Sequence, residues 1–226
     1  MAEKTKLWYL QNFNLLEGMD KNSMEEFSKM THMKESTKKD IIYFPDEPSN
    51  TIYFLKEGKI KISRITDDGR TTALDLLGPG EIFGEGALLG QDTHTNMAEA
   101  MENTVVCSIS KEMFEKMLKK NPMVNRSINK FIGFRMRKIQ AHVEDLVFKN
   151  AQERIEAFLK RYAKTFGKQM VDGCRVRPFL AHHEIANLTA TARQTVNAVL
   201  NDLVDEGKIE YTRRYFHVKD LAWLEL

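Results

Sequence analysis

The sequence is poor in cysteine and has no long apolar run. Its 226 residues include two cysteines, Cys107 and Cys174. Two cysteines cannot form a disulfide framework, a four-cysteine metal site or an iron–sulfur cluster with four cysteine ligands. Cys107 lies in an apolar stretch and is expected to be buried, whereas Cys174 follows Asp172-Gly173 and is expected to be exposed in a loop. No run approaches the roughly 20 apolar residues of a membrane span.

A signal peptide and a metal-ligand pattern are also lacking. The first residues, Met1-Ala2-Glu3-Lys4, do not form the apolar region of a signal peptide, so we expect a cytoplasmic protein without a membrane partner. Residues 1–110 contain only His32 and His94, far apart and without the spacing of metal ligands. A metal-dependent enzyme on a β-roll is therefore disfavoured, and we expect no catalytic activity and no bound metal.

Charge is distributed unevenly. Residues 1–110 hold 12 basic and 18 acidic side chains, residues 111–148 hold nine and four, and residues 149–226 hold 13 and 10. The acidic N-terminal region and the basic C-terminal region are compatible with a polyanion that binds the C-terminal region. A solvated basic face would produce the same counts.

The first half of the chain changes from a helical to a strand period. Apolar residues recur at helical spacing over residues 13–30. Residues 41–109 then contain short apolar or alternating runs, such as Lys59–Ile65, separated by turn signals such as Gly78-Pro79-Gly80. Because isolated hairpins are marginally stable, we expect seven or eight strands that close on one another as a sandwich or barrel.

A long helix is predicted after the strands. Ser110 is a candidate N-cap, and Asn121-Pro122 ends one helix and opens another that extends to about Phe148. Apolar residues in this second helix are spaced four, three, four and three residues apart: Ile132, Met136, Ile139, Val143 and Leu146. Such a narrow seam is typical of dimerisation. The alternative is a helix that lies on its own domain, but a helix of roughly 40 Å is too long for a roll of this size to cover.

The last part of the chain has the pattern of a winged helix-turn-helix. A helix is predicted over Ala151–Phe166, ended by Gly167. Three further elements follow: a short helix over Leu180–Leu188, a tight connection Thr189-Ala190-Thr191, and a second helix over Ala192–Glu206. A terminal hairpin with Arg213-Arg214 at its tip completes the pattern.

Three segments resemble one family. They are Gly78 through Glu85, Asn121-Pro122 through Ile155, and His183 through Val196. They are similar to the effector-pocket entrance, the long helix with its hinge, and the helix-turn-helix of the family of the catabolite activator protein and the fumarate–nitrate reduction regulator. The resemblance covers nearly the whole chain.

The resemblance implies an α+β fold in three parts. Residues 1–110 would form an effector-sensing, cyclic-nucleotide-binding-type β-roll (a double-stranded jelly roll), residues 111–149 the helical dimerisation segment, and residues 150–226 the winged helix-turn-helix. It further implies a homodimer that binds a palindromic site on double-stranded DNA, acts with RNA polymerase, and regulates transcription in a bacterium. A cyclic-nucleotide regulatory module of a kinase or channel is an alternative, but such modules lack a winged helix-turn-helix.

The start of the second motif helix is the candidate reader of base edges. Arg193 can pair with guanine and Gln194 with adenine, and both match the family's base readers. The catabolite activator has glutamate in place of Gln194 and arginine in place of Ala198, so the preferred DNA site should differ. Further candidate DNA contacts, each of which could equally be a cap or a surface group, are Thr195, His183, Thr191, Arg213 and Arg214.

The resemblance also implies an effector pocket. Its candidate residues are Gly84, Glu85, Gly86, Ala87, His94, Thr95, Met136, Ile139 and Gln140. The arginine that holds a cyclic nucleotide's phosphate in this family is missing from the matching stretch, residues 93–98, where His94 is the one candidate cation. Losing a hydrogen bond to a buried charge is costly, so tight binding of cyclic AMP is not expected. The effector stays unidentified, no haem is expected, and a regulator that binds DNA without any ligand remains an alternative.

A hinge is expected near Lys149-Asn150. The seam stops at Leu146, and Asn150 is a good N-cap for the next helix. A break between two rigid helices can absorb a domain rotation. A rigid linker in a protein that is always competent to bind DNA is the alternative.

Overall fold

A computed structural model describes residues 19–225 together with Lys6 and Leu16. Helix α1 (Lys21–Met30) begins at Asp20, whose carboxylate accepts a hydrogen bond from the Ser23 amide at 3.0 Å. The helix predicted over residues 13–30 is confirmed in this second part. Most of its first part lies outside the described residues.

Eight strands form two four-stranded sheets, which confirms the predicted closed β domain. The strands are β1 (His32–Ser36), β2 (Ile41–Tyr43), β3 (Thr51–Glu57), β4 (Ile60–Ile65), β5 (Thr71–Leu77), β6 (Ile82–Phe83), β7 (Met97–Ala100) and β8 (Thr104–Ser110). One sheet has the order β1-β8-β3-β6 and the other β2-β7-β4-β5. Strand β1 was not predicted, because its sequence is polar and only Ser36 is buried; pairing with β8 along its whole length holds it in place.

Apolar side chains of the two sheets supply the core. Phe54 packs against Phe27 of α1 and Phe114, with ring centroids 5.7 Å apart in both pairs. Leu55, its neighbour in β3, belongs to a second buried cluster that contains Phe83. Alternation along the strand thus places successive side chains in different apolar clusters.

The predicted helices after the strands are confirmed. Helix α2 (Lys111–Lys120) is capped by Ser110, and α3 (Pro122–Phe148) begins at the predicted proline. Helix α4 (Ala151–Phe166) follows, and Asn150 and Glu153 form a reciprocal capping box at its start. Two consecutive helices therefore meet at a defined break.

The C-terminal part contains the predicted motif and one unpredicted hairpin. Its elements are β9 (Lys168–Met170), β10 (Gly173–Val176), α5 (His182–Thr189), α6 (Arg193–Asp205), β11 (Ile209–Tyr211), β12 (Phe216–Val218) and α7 (Leu221–Glu225). The sheet order is β11-β12-β10-β9, so the predicted terminal hairpin is half of a larger sheet.

The expectation that Cys174 is an exposed loop thiol was wrong. Cys174 lies in β10 opposite Val218 and is 6% exposed. Its thiol contacts the Ala163 carbonyl of α4, and burial raises its pKa. Cys107 is buried as expected. Pairing of β10 with β12, which lies some 40 residues later in the chain, is a tertiary effect that a local pattern does not contain.

The chain forms two compact units. Residues up to 138, without Thr72–Leu74, make the first unit; Thr72–Leu74 and Ile139–Leu226 make the second. The division falls within α3, and the three-part division expected from the sequence remains a prediction. Over the described part of the chain, no helix has both the length and the hydropathy to cross a membrane.

Candidate DNA-reading surface and effector pocket

Helix α6 buries one face and exposes the other to solvent. Its apolar residues Val196, Val199, Leu200 and Leu203 are at most 4% exposed, as the helical spacing predicts. Arg193 and Gln194 lie side by side in the first turn and are exposed, and Thr195 is half-buried. Donors and acceptors that can read base edges therefore lie at the N-terminal end of the helix, and its apolar stripe fixes their orientation.

The turn before α6 is tightly constrained. Ala190 adopts a left-handed conformation, with φ of 49°, which a side chain with a Cβ disfavours. The Thr189 hydroxyl donates to the Ile185 carbonyl at 2.8 Å, and the Thr191 amide donates to the Ala186 carbonyl at 2.9 Å. These bonds close the connection between the two motif helices.

Two predicted DNA contacts lie on α5 and in this turn. His183, the second residue of α5, is exposed. Thr191 is half-buried, and its hydroxyl lies 2.8 Å from that of Thr189. Thr191 therefore has a structural contact within the turn, as the cap alternative allowed, whereas His183 presents its ring to solvent.

The terminal hairpin carries two adjacent arginines at its tip. Arg213 and Arg214 are exposed between β11 and β12. The Thr212 amide donates to the Tyr215 carbonyl at 2.8 Å and closes the turn around them. Their placement at the hairpin tip is the one that the sequence predicted.

A cavity of about 160 Å³ lies in the first unit. Its lining residues are Tyr43, Ile62, Phe83, Gly84, Glu85, Gly86, Leu89, Gln91, His94, Thr95, Asn96 and Arg135. Gly84 has φ of 75°, and a Cβ at this position would lie 2.7 Å from the Thr51 carbonyl oxygen. A glycine is therefore needed for the turn that brings Glu85 to the cavity.

An aromatic stack forms another wall of the cavity. The rings of His94 and Tyr43 are stacked with centroids 3.7 Å apart. Burial lowers the pKa of His94 and raises that of Tyr43, and in both cases it disfavours the charged form. Burial therefore works against a positive charge on His94, the candidate cation of the sequence prediction.

The positive charge on the cavity lining belongs to Arg135, which the sequence analysis did not identify. Its Nη2 lies 3.1 Å from Oε1 of Glu85, and its Nη1 donates to the Ile82 carbonyl at 3.2 Å. Lys138, one turn later on α3, lies 2.7 Å from Asp75. Arg135 precedes Ile139 by four residues, but Ile139 is not among the described lining residues, so helical spacing from it gives no valid signal for Arg135.

The structure gathers some of the predicted pocket residues and separates others. Gly84, Glu85, Gly86, His94 and Thr95 line the cavity. Ala87 is fully buried, and Met136 is 58% exposed on α3; neither is among the described lining residues. Ile139 and Gln140 belong to the second unit and, in the described part of the chain, are not in the lining either.

Known protein families match both the N-terminal and the C-terminal part of the chain. The family model of the cyclic nucleotide-binding domain matches residues 33–121, and that of the Crp-like helix-turn-helix domain matches residues 153–226. The transcriptional regulator LdrP of Thermus thermophilus is 34% identical over 193 residues, which are 85% of this chain and 95% of that protein. A CRP-like cAMP-activated global transcriptional regulator of Mycobacterium tuberculosis is 24% identical over 211 residues, 93% and 94% of the two chains.

A solved structure agrees with these similarities. The crystal structure of a CRP-family transcriptional regulator from Thermus thermophilus superposes with a TM-score of 0.72 and 30% identity, and covers 85% of this chain and 94% of that one. The predicted combination of β-roll, long helix and winged helix-turn-helix is thus confirmed. The chain belongs to the family of the catabolite activator protein and the fumarate–nitrate reduction regulator, and it is a transcription regulator of that family.

Proposed function

We propose that the protein binds a palindromic DNA site as a homodimer and reads each half-site with the start of α6. The observation that carries the proposal is the exposure of Arg193 and Gln194, side by side, on a helix whose other face is buried. Arg193 pairs with a guanine and Gln194 with an adenine. Thr195, His183, Thr191, Arg213 and Arg214 contribute contacts at the edge of this surface, mainly to phosphates.

Exposure of the predicted seam supports the dimer. Ile132, Met136, Ile139, Val143 and Leu146 are between 40% and 59% exposed in the single chain. Five apolar side chains along one helix face are costly to leave in water. A second copy of α3, packed through residues 122–148, would cover them.

Selection of DNA from a randomised pool tests this function. The purified chain is incubated with the pool, and bound DNA is sequenced after several rounds. We expect a two-fold symmetric consensus, with half-sites about one helical turn apart, 10–10.5 base pairs centre to centre. Selection of an asymmetric single site, or of no consensus, would contradict the proposal.

We further propose that the cavity beside Glu85 binds a small-molecule effector. The pair between Arg135 and Glu85 supports this, because it ties a cavity wall to α3, the helix that carries the seam. A ligand that competes for either partner would change the contacts of that helix, which is the differential interaction a switch needs. A regulator that always binds DNA remains the alternative.

An Arg135→Met variant distinguishes these alternatives. If the cavity controls DNA binding, affinity for the selected site should respond to cell extract in the unaltered protein and lose that response in the variant. Equal affinities in both proteins, with and without extract, would support a regulator without ligand.

The remaining partners and the location follow from regulation of transcription. RNA polymerase is the second macromolecular partner, and the cytoplasm of a bacterium is the location, since both DNA and polymerase are found there. The protein has no catalytic role in this proposal. Transcription in vitro tests the polymerase contact: an unaltered dimer that occupies its site and leaves transcription unchanged would contradict it.

A further inference from the structure

Arg154 joins three carbonyl groups from two separate places in the chain. Its Nε donates to the Thr189 carbonyl at 2.9 Å, its Nη2 to the Ala190 carbonyl at 3.0 Å, and its Nη1 to the Lys149 carbonyl at 2.9 Å. The first two acceptors lie in the turn of the helix-turn-helix. The third lies at the end of α3, immediately before the break at Asn150.

The acceptors are the groups that helix ends leave without partners. Thr189 is the last residue of α5, and the Lys149 amide continues the hydrogen bonding of α3 by donating to the Asp145 carbonyl at 3.1 Å. Carbonyls at helix C-termini carry partial negative charge and favour a cation. The planar guanidinium has enough donors, in fixed directions, to bind several carbonyls at once, whereas an ammonium group acts as a compact point charge.

A second contact constrains the same region. Nη2 of Arg161, in α4, lies 2.6 Å from Oδ2 of Asp145 in α3, and the aspartate side chain is 8% exposed. This pair connects α3 to α4, and Arg154 adds hydrogen bonds from α4 to the turn before α6, beside the packing of α4 against α5 and α6. Arg154 therefore links the end of the long helix to the turn that precedes the predicted reading helix.

We propose that Arg154 is a positioning residue that sets the direction of α6 relative to the end of α3. The inference rests on the proposed DNA-binding dimer, in which each α3 packs on its copy. Fixing α6 to α3 then fixes the distance between the two reading helices, and with it the spacing of half-sites that the dimer accepts. Reading of bases within one half-site does not depend on Arg154.

Half-site spacing gives a readout that base contacts and phosphate contacts do not change. One inserted base pair moves a half-site by about 3.4 Å and rotates it by about 34°. A rigid dimer rejects this change, and a dimer with a loosened link tolerates it. The probe is the palindrome selected by the unaltered chain, together with copies that lack one base pair or carry one or two more at the centre.

Affinities are measured by fluorescence anisotropy for the full chain and for three variants. Arg154→Ala removes the link, Arg154→Lys keeps the charge but not the fork of donors, and Lys164→Ala removes an exposed charge from the same helix as the matched control. Circular dichroism and tryptophan fluorescence, to which the buried Trp223 contributes, report whether the variants remain folded.

We expect the unaltered chain and Lys164→Ala to favour the selected spacing about tenfold or more, a factor typical of a displaced specific contact. In both Arg154 variants the preference should fall below about threefold, with the base preference within each half-site retained. If Arg154→Ala unfolds, the spacing preference of the folded Arg154→Lys variant tests the inference.

Two results would overturn the inference, and a third would contradict the proposed function beneath it. One is an unchanged spacing preference in a folded Arg154 variant. Another is an equal loss of affinity at every spacing together with a smaller salt dependence, since that identifies Arg154 as a phosphate contact. The third is failure of the unaltered chain to select a palindrome, which would instead contradict the proposed dimeric function on which the inference rests.

Discussion

The Arg135 guanidinium lies 3.1 Å from the Glu85 carboxylate, on the wall of the cavity. Both side chains are partly buried, 25% and 37% exposed. The pair means that the cavity's cation already has an anionic partner within the protein. An anionic ligand would have to compete with Glu85 for it.

Cyclic AMP should therefore bind weakly. Calorimetric titration of the purified protein should give a dissociation constant above about 10 μM, since residues 93–98 offer no arginine for the phosphate and Arg135 is paired. A Thr95→Arg variant, which supplies a cation on the cavity lining, should bind at least about tenfold more tightly. A constant below that limit for the unaltered chain would show that the pair yields to the phosphate.

Arg193→Ala should weaken specific DNA binding by about 1–3 kcal/mol and relax the preference at one base pair of each half-site. The reason is the loss of a bidentate pair with guanine. Anisotropy with the selected palindrome and with single-base variants measures both effects. Arg214→Ala is the comparison, because a phosphate contact should lower the affinity for all sequences alike. If Arg193→Ala also lowers specific and non-specific affinity equally, Arg193 does not read a base.

Ile139→Glu or Met136→Glu should convert the dimer to monomers. Each change places a charge, and its copy, in the apolar seam where both side chains are more than half exposed in one chain. Sedimentation at micromolar concentration measures the effect. Ala141→Glu adds the same charge at an exposed position of α3 off the seam and should leave the dimer intact. An unaltered protein that sediments as a monomer would refute the seam.

Asn150→Ala should alter DNA affinity or its response to cell extract. The variant removes the side chain that accepts from the Glu153 amide at 3.0 Å, and alanine favours continuation of the helix across the break. Asn150→Asp keeps the cap and is the matched control. If the Ala variant binds the selected DNA as the unaltered protein does, with the same response to extract, the break has no regulatory role.

Local sequence pattern predicted the elements that depend on neighbouring residues. Ser110, Pro122 and Asn150 mark helix starts, because caps and prolines act through backbone groups a few residues away. The boundaries of α5 and α6 shifted by one or two residues, since the motif pattern does not reveal that Ala181 and Ala192 stand at the caps. Strand β1 and the β9–β10 hairpin were missed because their pairing, rather than their own apolar pattern, stabilises them.

The sequence by itself determined the order of β-roll, long helix and winged helix-turn-helix, the apolar seam, and the exposed pair Arg193 and Gln194, because period and turn chemistry are local properties of the chain. Only the tertiary structure decided which basic side chains form ion pairs within the protein. It pairs Arg135 with Glu85 and Lys138 with Asp75, so part of the basic excess of residues 111–148 is neutralised within the protein rather than reserved for a polyanion. It also brings Arg154 to carbonyls 35 and 36 residues away, since a contact between distant segments depends on how helices pack and leaves no periodic signal in the sequence.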